Sequence, residues 1–147
     1  MSLTLNYNPD NIFAKIIAGD MPATKIWETD DILAFMDVFP QSDGHCLVVH
    51  KKAQAANLLD IDPQALGTLI LGVKKVAAAV AAGLKPDGIR IAQFNGSSAG
   101  QTVFHLHFHI IPVYDNVPLS AHHGAAQDGP TPADILEPVA QKIVEAL

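Results

Sequence analysis

Hydrophobic spacing along the chain alternates between the period of a strand and that of a helix. An apolar run over 12–18, "IFAKIIA", is preceded by Asp10 and followed by Gly19, which predicts a short helix capped by Asp10 and stopped at Gly19. "TKIWETDDILAFMDV" then reads as two strands about a turn at Asp30 and Asp31. "GHCLVVH", over 44–50, reads as a third strand, entered after the breakers Pro40, Ser42, Asp43 and Gly44. From 63 to about 82 the period lengthens: Leu66, Leu69, Ile70, Val73, Val76, Ala77 and Val80 recur at helical spacing, so one stripe should be buried. Asp62 is the expected N-cap of this helix, Pro63 its first residue and Gly83 its stop. "GIRIAQF", over 88–94, alternates as a strand, "NGSSAG" interrupts as a polar loop, and "TVFHLHFHII" predicts the last long strand. Residues 115–132 carry the Pro, Gly, Asn and Asp of a loop, and Thr131 is the expected cap of a final helix over 132–146. A hairpin needs an antiparallel pair, and strands both precede and follow the long helix. The predicted class is α+β: an antiparallel sheet of about five strands with the long helix packed on it and a second helix at the C-terminus.

Composition narrows the function. A chain of 147 residues, 49% of them hydrophobic, is expected to form one domain over 1–147 and to bury a large core. Nine Lys and Arg against fifteen Asp and Glu give a net charge of −6, which argues against a nucleic-acid partner but allows a single nucleotide in a pocket. Cys46 is the one cysteine, so no internal disulfide forms and a reducing compartment is expected. The N-terminus lacks the pattern of a signal peptide, and Lys74 and Lys75 interrupt the most apolar stretch, so the expectation is a cytoplasmic protein with no membrane partner.

The chemistry concentrates in "GQTVFHLHFHIIP". Side chains alternate faces along a strand and each residue rises about 3.3 Å, so His105, His107 and His109 would share one face at Cα spacings of roughly 6.6 Å. Leu106, Phe108 and Ile110 would point the other way and fix the register, because a slip of one residue would bury the imidazoles. Three readings stand. One is a solvated polar face. Another is a metal site, since His-x-His can ligate zinc, although outer histidines roughly 13 Å apart strain a one-ion cage. The third is nucleophilic catalysis by the central imidazole, its neighbours binding anionic oxygens. The preceding "NGSSAGQT" tilts the balance to phosphate chemistry, because glycines allow close backbone approach and amides with hydroxyls can form an anion nest.

"GQTVFHLHFHIIP" resembles the signature of the histidine triad (HIT) family, His-x-His-x-His followed by two apolar residues. "DNIFAKIIAGDMPATKIWETDDILAFMDVFPQSDGHCLVV" is similar to the family's N-terminal half, with Phe13, Ile16, Asp37 and His45 in matching places. The resemblance spans about 10–112 and is nearest to bacterial members; 113–147 lies outside it as loop plus helix. It implies a HIT-like fold, a homodimer, and a hydrolase or transferase acting at the α-phosphate of a purine nucleotide through a nucleotidyl-histidine. Substrates of that kind are dinucleoside polyphosphates and nucleoside phosphoramidates, and the alternative is a nucleotide-binding sensor without turnover. By resemblance His107 is the nucleophile, His105 and His109 bind phosphate oxygens, and His45 is the fourth histidine. Gln101 and Thr102 fall where the family contacts phosphate and leaving group, with Gly100 and Val103 in the same site. Asn95 matches a ribose or phosphate contact and Asp37 the acceptor of the ribose hydroxyls. Ile12, Phe13, Ile16, Phe35, Val38 and Leu47 match the walls around the base. No cofactor or metal is implied, since the imidazoles would supply the positive charge. Some bacterial members carry a structural zinc, but the positions of its ligands correspond here to Asn11, Ala14 and Ala53. His50 stands where proline is usual, and the pair His122 and His123 falls outside the motif.

Overall fold

The computed structural model describes residue 3, residues 6–120 and residues 129–147. Along the chain these form α1 (Ile12–Ala18), β1 (Lys25–Glu28), β2 (Ile32–Met36), β3 (Cys46–His50), α2 (Pro63–Leu84), β4 (Gly88–Ala92), β5 (His107–Val113) and α3 (Ala133–Val144). The strands make one antiparallel sheet in the order β1-β2-β3-β5-β4, so the class is α+β as predicted. The pair His122 and His123 lies outside the described residues.

Five sequence expectations are corrected at element ends. Asn11, not Asp10, caps α1, its side-chain oxygen accepting from the Ala14 amide, while Gly19 closes the helix in the left-handed region at φ 85°. Helix α2 runs past Gly83 to Leu84 and ends on Lys85, which itself takes φ 51°. Gly83 is needed for another reason: a Cβ there would collide with the Lys142 carbonyl, so its lack of a side chain lets α3 lie against α2. The cap position of α3 is Pro132, with no side-chain bond, and Thr131 instead donates its backbone N–H to the Val38 carbonyl at 2.8 Å. The last strand begins at His107, so His105 and Leu106 precede it, and β4 stops at Ala92, before Phe94.

Strand register sorts the side chains into two layers. Met36, Cys46, Val48, Phe108 and Ile110 bury on one face against Leu69, Val73, Val76 and Val80 of α2. A side chain such as Leu69, fully buried there, contributes roughly 1.5–3 kcal/mol. Of the predicted stripe, Ile70 is the exception and stays exposed on the outer side of α2. The other sheet face carries Leu33, Phe35, Leu47 and Val49, covered by Phe13 and Ile16 of α1. Because Leu47 pairs with His109 and Val49 with His107, the two histidines lie on this second face. Lys74 and Lys75 do not disqualify α2 on length and composition: its 18-residue window reaches a mean hydropathy of 1.7, enough for a membrane span. Its buried stripe is occupied by the sheet, however, which is how the core helix of a folded domain passes the same test.

Candidate active site

A cleft of about 410 Å³ opens on the histidine face, between α1, the ends of β2 and β3, and the loop before β5. Ile12, Phe13, Ile16, Phe35, Val38 and Leu47 form its apolar walls, with Asp37, Gly100, Thr102, Val103, His107 and His109 at the polar end. Twelve residues chosen from sequence therefore converge on one cavity. Sequence reasoning missed Met21, Pro22, Ala23, Met36, Phe39 and Pro130, which complete the lining. Apolar loop residues carry no signal of a ligand wall, Met36 is a strand residue whose side chain packs on the helix side, and the Thr131 to Val38 backbone bond holds the segment of Pro130 beside the cleft.

The tautomers of the histidines follow from their partners. His107 Nδ1 lies 2.7 Å from the His105 carbonyl oxygen. A carbonyl only accepts, so Nδ1 carries the proton, and in the neutral ring the lone pair is on Nε2. Phe13 stands edge-on to this ring, centroids 4.9 Å apart at 90°, and limits its tilt. On the other side, the Gln41 amide donates to His45 Nδ1 at 2.9 Å. His45 must then hold its proton on Nε2, which lies 2.9 Å from His109 Nδ1 and donates to it. His109 in turn keeps its proton on Nε2, and its ring lines the polar end of the cleft. Asp37 accepts from the Phe39 amide at 2.8 Å and sits 3.4 Å from His45 Nε2. With Nδ1 of His45 already an acceptor, that contact is a shared N–H and not a pair of full charges. The carboxylate has further lone pairs, enough to accept ribose-type hydroxyls.

Four expected site residues stand outside the lining. His45 is 2% exposed and reaches the lining only as a hydrogen-bond partner of His109, at 2.9 Å. His105 lies behind His107, where Tyr7 bonds its Nδ1 at 2.9 Å. Burial pushes the His105 ring down to about 4, against a weaker opposing hydrogen bond to the His50 backbone. Burial thus favours its uncharged form, and His105 stands outside the cleft lining. Gln101 spends its side chain on the fold: its carbonyl oxygen accepts from Gly96 at 2.8 Å, and its NH2 donates to Ala56 at 2.6 Å and Val103 at 3.1 Å. Asn95 likewise receives the Leu58 amide and the Gln93 side chain.

Four amides of the loop that its sequence suggested as an anion nest are spent within it. Gly96 donates to Gln101, and the Ala99, Gly100 and Gln101 amides all turn inward to carbonyls of the same loop. The turn Ser97–Ala99 closes on Gly100 at φ 106°, a conformation that favours glycine and that sets Thr102 at the cleft. His50 finds a physical account at the end of β3: its Nδ1 accepts the Lys52 and Ala53 amides at 3.1 and 3.0 Å, closing the turn after the strand.

A metal reading was open on the sequence. Asp37, His45 and His109 do place three candidate ligand atoms within 4.8 Å of one another. The donor chemistry does not fit: with the Gln41 N–H on Nδ1, a cation on Nε2 would require His45 to lose both ring protons. At the positions corresponding to the zinc ligands of some bacterial relatives, Asn11 caps α1 onto Ala14, and Ala53 donates its amide to His50.

Comparison with known proteins agrees with this geometry. The HIT domain model matches residues 18–116. A crystal structure of a HIT-like protein from Bartonella henselae superposes with a TM-score of 0.86 at 45% identity, covering 96% of this chain and 99% of that one. A zinc-bound histidine triad family protein from Mycobacterium smegmatis has a TM-score of 0.77 at 30% identity, covering 93% and 92% of the two chains. The adenosine 5'-monophosphoramidase hnt1 of Schizosaccharomyces pombe is 42% identical over 101 residues, which are 69% of this chain and 72% of that protein. The match of family model, fold and histidine geometry places the chain in the HIT family.

Proposed function

We propose that the protein is a nucleotide hydrolase or transferase acting at the α-phosphate of a purine nucleotide, with His107 as the covalent nucleophile. The observation that carries this reading is the 2.7 Å bond from His107 Nδ1 to the His105 carbonyl, which assigns the lone pair to Nε2 in a ring that lines the cleft. Nε2 attacks phosphorus, a P–N bond forms, and the bond to the leaving group breaks with its electron pair departing on that group. Positive charge then rises on the imidazole, where the His105 carbonyl holds Nδ1–H. Water or another acceptor attacks phosphorus from the opposite side and gives up its proton to solvent, the P–N bond breaks, and its pair returns to Nε2. His109 Nε2–H donates to a non-bridging oxygen through both steps, and the Thr102 side chain lines the same end. Neither Lys nor Arg is among the described lining residues, and in this reading oriented dipoles take the part that fixed cations play elsewhere. The base would lie along Ile12, Phe13, Ile16, Phe35 and Leu47, with its ribose hydroxyls on Asp37.

The yeast phosphoramidase supports a phosphoramidate substrate, and the cleft is equally compatible with a dinucleoside polyphosphate. Incubation with adenosine phosphoramidate and with a diadenosine polyphosphate, products resolved by chromatography, should release a mononucleotide from at least one. Nucleotide binding with no product from either would instead establish a sensor.

We further infer a two-fold dimer in the cytoplasm. Strand β4 is the sheet's edge beyond β5, with Ile91 exposed on it, and Ile70 and Leu71 are exposed on α2. A neighbour could extend the sheet across that edge. Light scattering should give twice the chain mass, and a monomer at micromolar concentration would refute the dimer.

A further inference from the structure

We propose that Tyr7 is a positioning residue for His107, acting through the His105 side chain on the carbonyl that orients the nucleophile; this rests on the nucleotidyl-transfer reading above. Tyr7 belongs to the segment ahead of α1 and lies outside residues 18–116 that match the family. Its hydroxyl is 2.9 Å from His105 Nδ1, with the rings edge-on at 5.5 Å.

Proton accounting gives this bond a direction. The hydrogen bond between the His105 ring and the His50 backbone favours the protonated ring, as a bond donated to a carbonyl does. The neutral ring has a single proton and spends it there. Nδ1 is then an acceptor, and the Tyr7 hydroxyl must be the donor. Tyr7 and His50 thus grip the two sides of one buried imidazole.

The grip matters because of where His105 sits. Strand β5 starts at His107, and its pairing with β3 begins at Val49 opposite His107. Ladder bonds therefore do not hold the 105–106 peptide. Its holds are the Leu106 amide on the Ala55 carbonyl at 2.9 Å and the ring of His105 between Tyr7 and His50. The same peptide supplies the carbonyl that accepts from His107 Nδ1. A rotation there loosens the His107 tautomer without touching the cleft walls. Phe13, 6.2 Å from the His105 ring and 4.9 Å from that of His107, gives parallel support, so loss of the hydroxyl should impair and not abolish.

Tyr7→Phe isolates the hydroxyl. With a substrate the wild type turns over, kcat should fall about three- to tenfold, the effect of one hydrogen bond, while KM stays unchanged. Two-bond 1H–15N correlation spectra of the resting protein provide a readout that needs no substrate. His107 should be wholly Nδ1-protonated when neutral in the wild type and a mixture of tautomers in Tyr7→Phe. Tyr7→Ala, which also removes the ring, should shift that mixture further. Wild-type kcat together with an undisturbed His107 tautomer in Tyr7→Phe would overturn the proposal. If no nucleotide is turned over at all, the transfer reading fails, and the spectra alone still decide whether Tyr7 sets the tautomer.

Discussion

On the helix side of the sheet, Val48, Phe108 and Ile110 meet Leu69, Val73 and Val76; one residue along the same strands, Leu47, His107 and His109 face Phe13 and the cleft. The first set requires only volume and apolarity. The second adds a chain of directed bonds: Gln41 to His45, His45 to His109, and His107 to the His105 carbonyl. All three rings are nine-tenths buried or more, so each bond decides which nitrogen bears the proton. One face of β5 therefore stores stability, and the other stores proton positions.

Substitutions on the two faces should separate these roles. His107→Ala should lower kcat by about a thousandfold or more, more than ~4 kcal/mol in the barrier, with the thermal midpoint little changed. A large loss of stability would mean that His107 is a core residue first. Leu69→Ala, on the opposite face, should cost roughly 2–5 kcal/mol in urea denaturation while the folded fraction keeps its KM.

Much of this contrast is legible in the sequence, because period-two alternation and helical spacing report which side a residue faces. Leu106, Phe108 and Ile110 fall in the apolar core as the pattern required. The alternation nevertheless continues through His105, where the ladder does not, so spacing alone overstates the strand. Gly83 illustrates a second limit: the signal for a helix stop is also the signal for close helix packing, and only the Lys142 carbonyl tells them apart. Gln41 and Tyr7 were invisible for a different reason. Gln41 works through its backbone amide, which any residue but proline provides, and Tyr7 reaches a partner 98 positions away. Gln101 is expected from the resemblance to contact phosphate and leaving group, whereas its side chain holds the loop and is not among the lining residues.

A pH dependence follows from His105. Burial pushes its ring down to about 4 from the ordinary histidine value of 6.5, so between these pH values the unfolded chain binds the proton first. Stability is fully present above pH 6.5 and should be lost as pH falls toward 4, by about 3 kcal/mol at most. Burial lowers the His50 ring in the same direction. Comparing the slope of stability against pH for the wild type and His105→Asn checks this; equal slopes would refute it. The smallest effect belongs to the cap of α1, where Asn11→Ala should cost about 1 kcal/mol and leave the His107 tautomer intact.

The central claim is that the face carrying His107 forms a covalent bond with substrate, and intact-protein mass spectrometry after rapid neutral quenching tests it most directly. With adenosine phosphoramidate or a diadenosine polyphosphate the wild type should gain the mass of one adenylyl group, mapped to His107 and absent from His107→Ala. Turnover without an adduct under single-turnover conditions, or an adduct mapped to another residue, would contradict the account.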